Sequence, residues 1–215
     1  RGLVGSEMCI RDRPYDGYLR GVPVMAFLPA LLAACGVPAC SHGLDEVGPK
    51  FGVTQRKVLK AAGIDVDLSP QQAAARLSQE NTGWAYVDQA RFCKPLHDLV
   101  PLRKRMIKRP VLTTVEVLAK PICGRVSTHL ITGYVHKPYP PVYEKLAKLA
   151  GFDSAAIIRG VEGGITPALN KPAKYFEYHG RDGILQEVDT APDQLAISQQ
   201  PVSYTHLRAH ETSLH

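Results

Sequence analysis

The hydrophobic and polar positions switch between helical and extended spacing from residue 14 to about residue 199. Thr54 precedes a helix-forming run that ends at Gly63, and Ser69 precedes Pro70 and a run rich in glutamine and alanine. Serine or threonine before such a run is a preferred N-cap, and proline suits the first helical position. The pattern therefore predicts capped helices over 54–62 and 69–79, and leucine and valine at mainly helical spacing predict another over 95–106.

Short apolar runs predict strands at 37–42, 84–87, 127–135 and 155–159, and an amphipathic helix is predicted over 141–150. Strand, helix and strand at this spacing are typical of a βαβ unit and hence of a mainly parallel sheet. Two later runs, 175–179 and 184–188, predict a hairpin. The sequence therefore predicts one α/β domain, with a mainly parallel central sheet and helices on both faces.

The two ends of the chain do not follow this pattern. The first thirteen residues and the last sixteen have no helical or strand period and look like translated adapter read-through. We interpret 1–13 and 200–215 as non-native tails and assign the domain to 14–199. Three of the eight histidines, His206, His210 and His215, fall in the second tail, where chance explains them better than metal binding.

Apolar runs and cysteine spacing indicate in which compartment the protein works. The apolar run 22–37 is interrupted by two prolines and is shorter than the roughly 20 residues that span a bilayer, so neither a membrane span nor a signal peptide is predicted. The cysteines show no Cys-x-x-Cys spacing, which argues against a zinc site or a disulfide framework. We therefore expect a cytoplasmic protein; the five cysteines are Cys9, Cys35, Cys40, Cys93 and Cys123.

Positive charge is concentrated in one segment of a chain whose net charge is +6. Helical spacing would place Arg105, Lys108 and Arg109 on one face. Such a run is often a solvated helix face, but it also suits a phosphate-bearing small molecule or the backbone of a nucleic acid. We name it the basic segment; it comprises Arg103, Lys104, Arg105, Lys108 and Arg109.

The run IIRGVEGGIT at 157–166 is a predicted strand that leads into a glycine-rich turn. In α/β proteins ligands bind beyond the carboxyl ends of the strands, so this turn is a candidate site. We expect Gly43, which ends the predicted strand 37–42, to lie at the same edge as Gly160. Two plainer interpretations stay open: Arg159 pairs with Glu162 inside its own turn, or His42 is a hydrogen-bonded core histidine.

Four motifs in order give the chain a family resemblance. Residues 41–44 (SHGL) stand where the family has Lys-His-Gly-Asn, 61–70 (AAGIDVDLSP) resembles ALGI-x-LDLSPE, 100–104 (VPLRK) matches APVRK, and 130–135 (LITGYV) matches the LIGVY segment. The chain resembles the family 3 glycosyltransferases, that is, the anthranilate phosphoribosyltransferases and their relatives. The likeness extends over residues 21–164.

The resemblance implies a three-layer α/β domain, as in the large domain of that family, and a homodimer when the protein is full length. It also implies phosphoribosyl transfer from phosphoribosyl pyrophosphate with magnesium. In these terms His42, Gly43 and Glu162 belong at the phosphates and Arg103 at the acceptor, where a guanidinium binds a carboxylate in a bidentate manner.

The chain departs from the family at the residues that serve the metal. Ile165 and Thr166 stand where the family has an adjacent acidic pair, so magnesium is expected only if the activity survives. One hypothesis is therefore a transferase with an eroded metal site. It binds phosphoribosyl pyrophosphate or another phosphate-bearing molecule through the candidate residues His42, Gly43, Arg103, Arg159, Gly160 and Glu162. The alternative is a non-catalytic nucleic-acid-binding protein of the same fold that uses Arg105, Lys108 and Arg109. The resemblance to divergent members of the family, some of which bind nucleic acid, implies this alternative.

Overall fold

The computed structural model describes residues 2–4, 7–12, 16–19, 23–106, 110–167 and 172–195. Its strands are β1 Gly2–Val4, β2 Glu7–Asp12, β3 Ala39–Gly43, β4 Trp84–Asp88, β5 Ile122–Gly124, β6 Ser127–Gly133, β7 Ser154–Ile158, β8 Ala173–His179 and β9 Gln186–Thr190. Its α-helices are α1 Leu28–Ala34, α2 Gln55–Ala61, α3 Pro70–Leu77, α4 Gln89–Phe92, α5 Lys94–His97, α6 Val100–Arg105, α7 Leu112–Glu116 and α8 Tyr139–Leu149. Short 3-10 helices cover Val24–Phe27, Val161–Gly163 and Pro192–Leu195.

One sheet of seven strands organises the domain, in the order β4-β3-β2-β6-β7-β8-β9. Every pairing from β4 to β7 is parallel, whereas β8 and β9 add to β7 as an antiparallel hairpin. β6, α8 and β7 form the predicted βαβ unit. The predicted α/β class and mainly parallel sheet are therefore confirmed; β1 and β5 form a separate parallel pair.

The centre of the sheet comes from a segment in which the sequence showed no strand period. β2 lies between β3 and β6, and Ile10 is paired with Cys40 on one side and with Leu130 on the other. Met8 is fully buried in the main core. Glu7–Asp12, which the sequence analysis left out of the domain, thus supply the strand between β3 and β6. The interpretation of 1–13 as a non-native tail stays a prediction. The tail 200–215, with its histidines, lies outside the described residues.

The helix starts follow the local sequence. Thr54 Oγ1 accepts a hydrogen bond from the backbone N–H of Lys57 at 3.3 Å. Ser69 and Gln72 form a reciprocal capping box, in which each backbone N–H donates to the other side chain, at 2.8 and 3.2 Å. These caps satisfy N–H groups that the first turn of a helix leaves without partners, so both predicted helix starts are confirmed.

The helix predicted over 95–106 is wrong as a single element. α5 ends at His97 and α6 begins only at Val100, with Pro101 in its first turn. Proline has no N–H to donate to the preceding turn, which favours a new helix start over a continuous helix. α6 ends at Arg105, and Met106 is extended, with φ −90° and ψ 122°.

The core covers both faces of β4. Ala85 and Val87 belong to the main apolar cluster, which also contains residues of α3, whereas Tyr86 packs with Leu59 of α2 in a smaller cluster. Successive side chains of a strand point to opposite faces, so the two clusters lie on opposite sides of the sheet here. In the described part of the chain, no helix has the length and apolar character needed to cross a membrane.

Candidate functional site

The carboxyl ends of the parallel strands bring two predicted glycines to one edge. β3 ends at Gly43, β7 ends two residues before Gly160, and the strands between them run in the same direction. The expectation that Gly43 and Gly160 lie at the same edge is confirmed. We call this edge the carboxyl edge.

A cavity of about 770 Å³ opens at this edge, where β6 and β7 end and β8 begins. Two of the predicted site residues, Arg159 and Gly160, lie in its lining. The hairpin of β8 and β9 supplies another part of the lining. The lining residues are Tyr134, Lys137, Arg159, Gly160, Val161, Pro172, Ala173, Lys174, Phe176 and Glu187.

The cavity carries a net positive charge. Neither Arg159 nor Lys137 has a hydrogen-bond or ion-pair partner among the described residues. Lys174 is engaged by Glu187 and also lies 3.5 Å from Asp189 Oδ1. Two uncompensated cations therefore face one lining carboxylate that is already paired, an arrangement that favours an anionic ligand.

Two aromatic rings give the cavity an apolar part. Tyr134 and Phe176 lie with their centroids 6.0 Å apart at an interplanar angle of 66°. Burial raises the pKa of the Tyr134 hydroxyl above its usual value, although the charge of Arg159 acts in the opposite direction. Apolar surface with a few convergent charged groups is typical of small-molecule sites.

Glu162 contacts a different residue from the one considered in the sequence. Its Oε2 accepts from Lys50 Nζ at 3.3 Å and from the backbone N–H of Leu19 at 3.2 Å. The interpretation that Arg159 pairs with Glu162 is therefore wrong. Arg159 lines the cavity, whereas Glu162 ties the glycine-rich turn to two other loops.

His42 and Gly43 lie at the carboxyl edge but are covered. His42 is 0% exposed and its ring meets the edge of Phe92, with centroids 5.4 Å apart. Burial lowers the pKa of His42 to about 3, so the ring is neutral at pH 7. Gly43 is also buried, with Tyr86 Oη 3.2 Å from where a Cβ would be. The structure favours the core-histidine interpretation of His42.

Arg103 lies in a buried network near the carboxyl end of β4, at the same edge of the sheet as the cavity but separated from it by β3 and β2. It is 2% exposed and donates from Nη1 to Glu116, whose Oε1 also accepts from Gln89 Nε2 at 3.2 Å. The guanidinium of Arg103 therefore links α6 to α7. This differs from the expected contact with an acceptor molecule.

Only the first part of the basic segment lies on a described helix. α6 ends at Arg105 and Met106 is extended. The shared face of Arg105, Lys108 and Arg109 stays a prediction. Arg105 is exposed, and Lys104 lies 3.7 Å from Glu46. Lys108 and Arg109 lie outside the described residues.

Three site residues escaped the sequence analysis. Lys137 follows β6 by four residues, so the rule that ligands bind beyond strand ends would have found it. Lys174 belongs to an antiparallel strand, which that rule does not cover. Lys50 is 112 residues from Glu162 in sequence, and no local motif marks it.

Comparisons with known proteins agree with this architecture. No protein-family model matches the chain. It is 29% identical over 158 residues to an uncharacterized protein of Aquifex aeolicus, covering 74% of this chain and 45% of that protein. It is 29% identical over 170 residues to anthranilate phosphoribosyltransferase of Erwinia tasmaniensis, covering 79% of this chain and 48% of that enzyme. The chain thus spans about half the length of the curated relatives it matches.

Solved structures show the same fold. Anthranilate phosphoribosyltransferase from Saccharomyces cerevisiae in complex with PRPP and Mg superposes with a TM-score of 0.67 at 17% identity, covering 92% of this chain and 53% of that one. The same enzyme in complex with 4-fluoroanthranilate gives a TM-score of 0.64 at 15% identity, covering 90% and 50%.

The mainly parallel sheet, with a cationic cavity at its carboxyl edge, defines the α/β class of domain. Within that class the chain is anthranilate phosphoribosyltransferase-like, by sequence identity to enzymes of that name and by fold. The resemblance inferred from the four motifs is confirmed.

Proposed function

We propose that this chain is the phosphate-binding α/β part of a phosphoribosyltransferase-like protein, with helices on both faces of its sheet. Its ligand is phosphoribosyl pyrophosphate or another phosphate-bearing small molecule. The observation that carries the proposal is the cavity at the carboxyl edge, where Arg159 and Lys137 have no partner among the described residues. The solved relative in complex with PRPP and Mg supports this ligand class.

The chemistry of phosphoribosyl transfer suits such a cavity. Breaking the bond to pyrophosphate leaves positive charge on the ribose and negative charge on the leaving group. Fixed cations stabilise that negative charge most where water is partly excluded. Arg159 and Lys137 supply the positive charge, and the rings of Tyr134 and Phe176 supply the apolar surface.

The turn after β7 does not fit a protein-held magnesium ion. Mg²⁺ needs nearly octahedral oxygen ligation. At the positions of the family's acidic pair this chain has Ile165, which is 3% exposed, and Thr166. The carboxylate of Glu162 is already engaged by Lys50. We therefore propose that the domain binds phosphates without its own metal site, and that any transfer activity is weak.

Phosphoribosyl pyrophosphate is expected to bind weakly, with the same affinity in MgCl₂ and in chelator. Arg159→Ala should weaken this binding about tenfold, because one charge-assisted hydrogen bond contributes about 1.5 kcal/mol. Isothermal titration calorimetry in both buffers measures this.

The matched control is Arg181→Ala, which removes an exposed arginine that pairs with Asp153 near the amino end of β7. It should leave the affinity unchanged. Tight binding that requires Mg²⁺ would contradict the absence of a metal role for this chain, and equal losses in both variants would exclude the cavity as the site.

A second candidate function is binding to the nucleic-acid backbone, which the exposed Arg105 at the end of α6 favours. If it is correct, glutamate at Arg105, Lys108 and Arg109 should abolish most binding to single-stranded DNA. The wild-type affinity should fall steeply with salt, because neutralised phosphates release counterions. Fluorescence anisotropy at two salt concentrations tests this, with the exposed Lys145 of α8, replaced by glutamate (Lys145→Glu), as the control. A salt-insensitive affinity would leave the segment as a solvated surface.

A further inference from the structure

Lys50 holds an unusual position for a lysine, because its ammonium lies among oxygens of two separate loops. Lys50 Nζ is 3.2 Å from the backbone oxygen of Glu162 and 3.3 Å from Glu162 Oε2. It is also 3.4 Å from the backbone oxygen of Gly17. An ammonium has three N–H donors, and this set offers one oxygen to each.

The contact is shielded from water. The side chains of Lys50 and Glu162 are 17% and 15% exposed. The Glu162 carboxylate and the two carbonyl oxygens together complete the hydrogen bonding of the ammonium. Carboxylate and carbonyl oxygens are also the ligands of hard metal cations, so the ammonium occupies a cation site made of protein oxygens.

The turn that Lys50 holds is part of the cavity wall. Glu162 has φ 53° and ψ 20°, a left-handed conformation that costs a non-glycine residue free energy and needs outside support. Gly160 is so closely packed that a Cβ there would lie 2.0 Å from the oxygen of Gly164. Gly160 and Val161, which precede Glu162, both line the cavity.

We propose that Lys50 is a positioning residue whose ammonium acts as a built-in cation. It holds the turn 160–166 against the loop 16–19 and makes the shape of the cavity wall independent of divalent metal. The effect on ligand affinity rests on the function proposed above, whereas the effect on the turn itself does not.

The ligand-free protein provides the first test. Thermal unfolding is measured for wild type, Lys50→Ala and Lys50→Arg in chelator, in MgCl₂, in propylammonium chloride and in choline chloride. Wild type should melt at one temperature in all four. Lys50→Ala should melt about 4 °C lower, and propylammonium should restore part of the loss by refilling the oxygen cluster. Choline should restore nothing, because it has no N–H donor.

Lys50→Arg should keep most of the stability, since it keeps a cation with N–H donors. The matched control is Lys57→Ala, a lysine of α2 that lies 3.6 Å from Glu46 at the surface. The melting temperature of Lys57→Ala should be close to that of wild type, and propylammonium should not change it. The proposal is overturned if Lys50→Ala behaves like Lys57→Ala, if propylammonium and choline act alike, or if Mg²⁺ raises the melting temperature of wild type.

The second test uses phosphoribosyl pyrophosphate. Its affinity for Lys50→Ala should fall about fivefold relative to wild type and should recover in Lys50→Arg. An unchanged affinity in Lys50→Ala would contradict the positioning role. If wild type binds no phosphoribosyl pyrophosphate, the proposed function fails, and the ligand-free melting temperatures still decide the role of Lys50.

Discussion

Replacing Arg103 with alanine is expected to lower the free energy of unfolding by about 3–5 kcal/mol, because it breaks the buried ion pair between Arg103 and Glu116. Both side chains are almost fully buried, at 1% and 0% exposure, so water cannot take over the role of the guanidinium. Urea denaturation followed by circular dichroism measures the loss.

The control for this prediction is Arg105→Ala, two residues further along α6, where the side chain is exposed. A surface substitution of this kind should change stability by no more than about 0.5 kcal/mol. If Arg103→Ala were as mild as Arg105→Ala, the buried pair would not be a stabilising element, and an acceptor-binding role for Arg103 would regain support.

A double replacement separates the charge from the packing. Within the described residues, Arg103 Nε and Nη2 have no hydrogen-bond partner, so the guanidinium is only partly satisfied. Replacing a buried ion pair by apolar residues of similar volume is often neutral or stabilising. Arg103→Met combined with Glu116→Leu should therefore recover most of the stability that Arg103→Ala loses.

Local signals in the sequence were enough to predict several elements. Hydrogen bonds between near neighbours determine the caps at Thr54 and Ser69, and both were predicted from the residue types. β7 and α8 were predicted from their hydrophobic period alone. The parallel pairing of β7 with β6 followed from the strand–helix–strand spacing.

Contacts between distant residues were beyond local reasoning. β2 lies at the centre of the sheet because strands about 30 and 120 residues away pair with it, and a window of six residues carries no sign of either. The burial of Arg103 depends in the same way on Glu116 of another helix. The family resemblance gave Arg103 an acceptor role, whereas its present partner is a carboxylate of this chain.

The candidate site was predicted only in part for a related reason. The rule for parallel strands identified the edge and, with it, Arg159 and Gly160. It did not predict that Glu162 would be engaged by Lys50, or that β8 would bring Lys174 and Phe176 to the same cavity. Those features depend on how loops and an antiparallel hairpin pack after the sheet has formed.

Acid is expected to destabilise the domain through His42. Its pKa in the folded protein is about 3, against 6.5 for an unperturbed histidine, because burial penalises the charged ring. Between these pH values the unfolded chain binds a proton at His42 that the folded chain does not. The contribution of His42 to stability is therefore complete above pH 6.5 and is lost as pH falls towards 3, by about 1.4 kcal/mol for each pH unit.

The test is the slope of unfolding free energy against pH from 6.5 to 4.5, compared between wild type and His42→Asn. The difference between the two slopes isolates His42, because both proteins keep Asp88, whose pKa is raised by burial and whose contribution has the opposite sign. Over this interval wild type should lose about 2–3 kcal/mol more than the variant.

Phe92→Leu removes the ring that contacts His42 but keeps the histidine, so it should be less stable at every pH and have the wild-type slope. Equal slopes in wild type and His42→Asn would mean that the ring is protonated in the folded state, which would return His42 to consideration as a phosphate ligand.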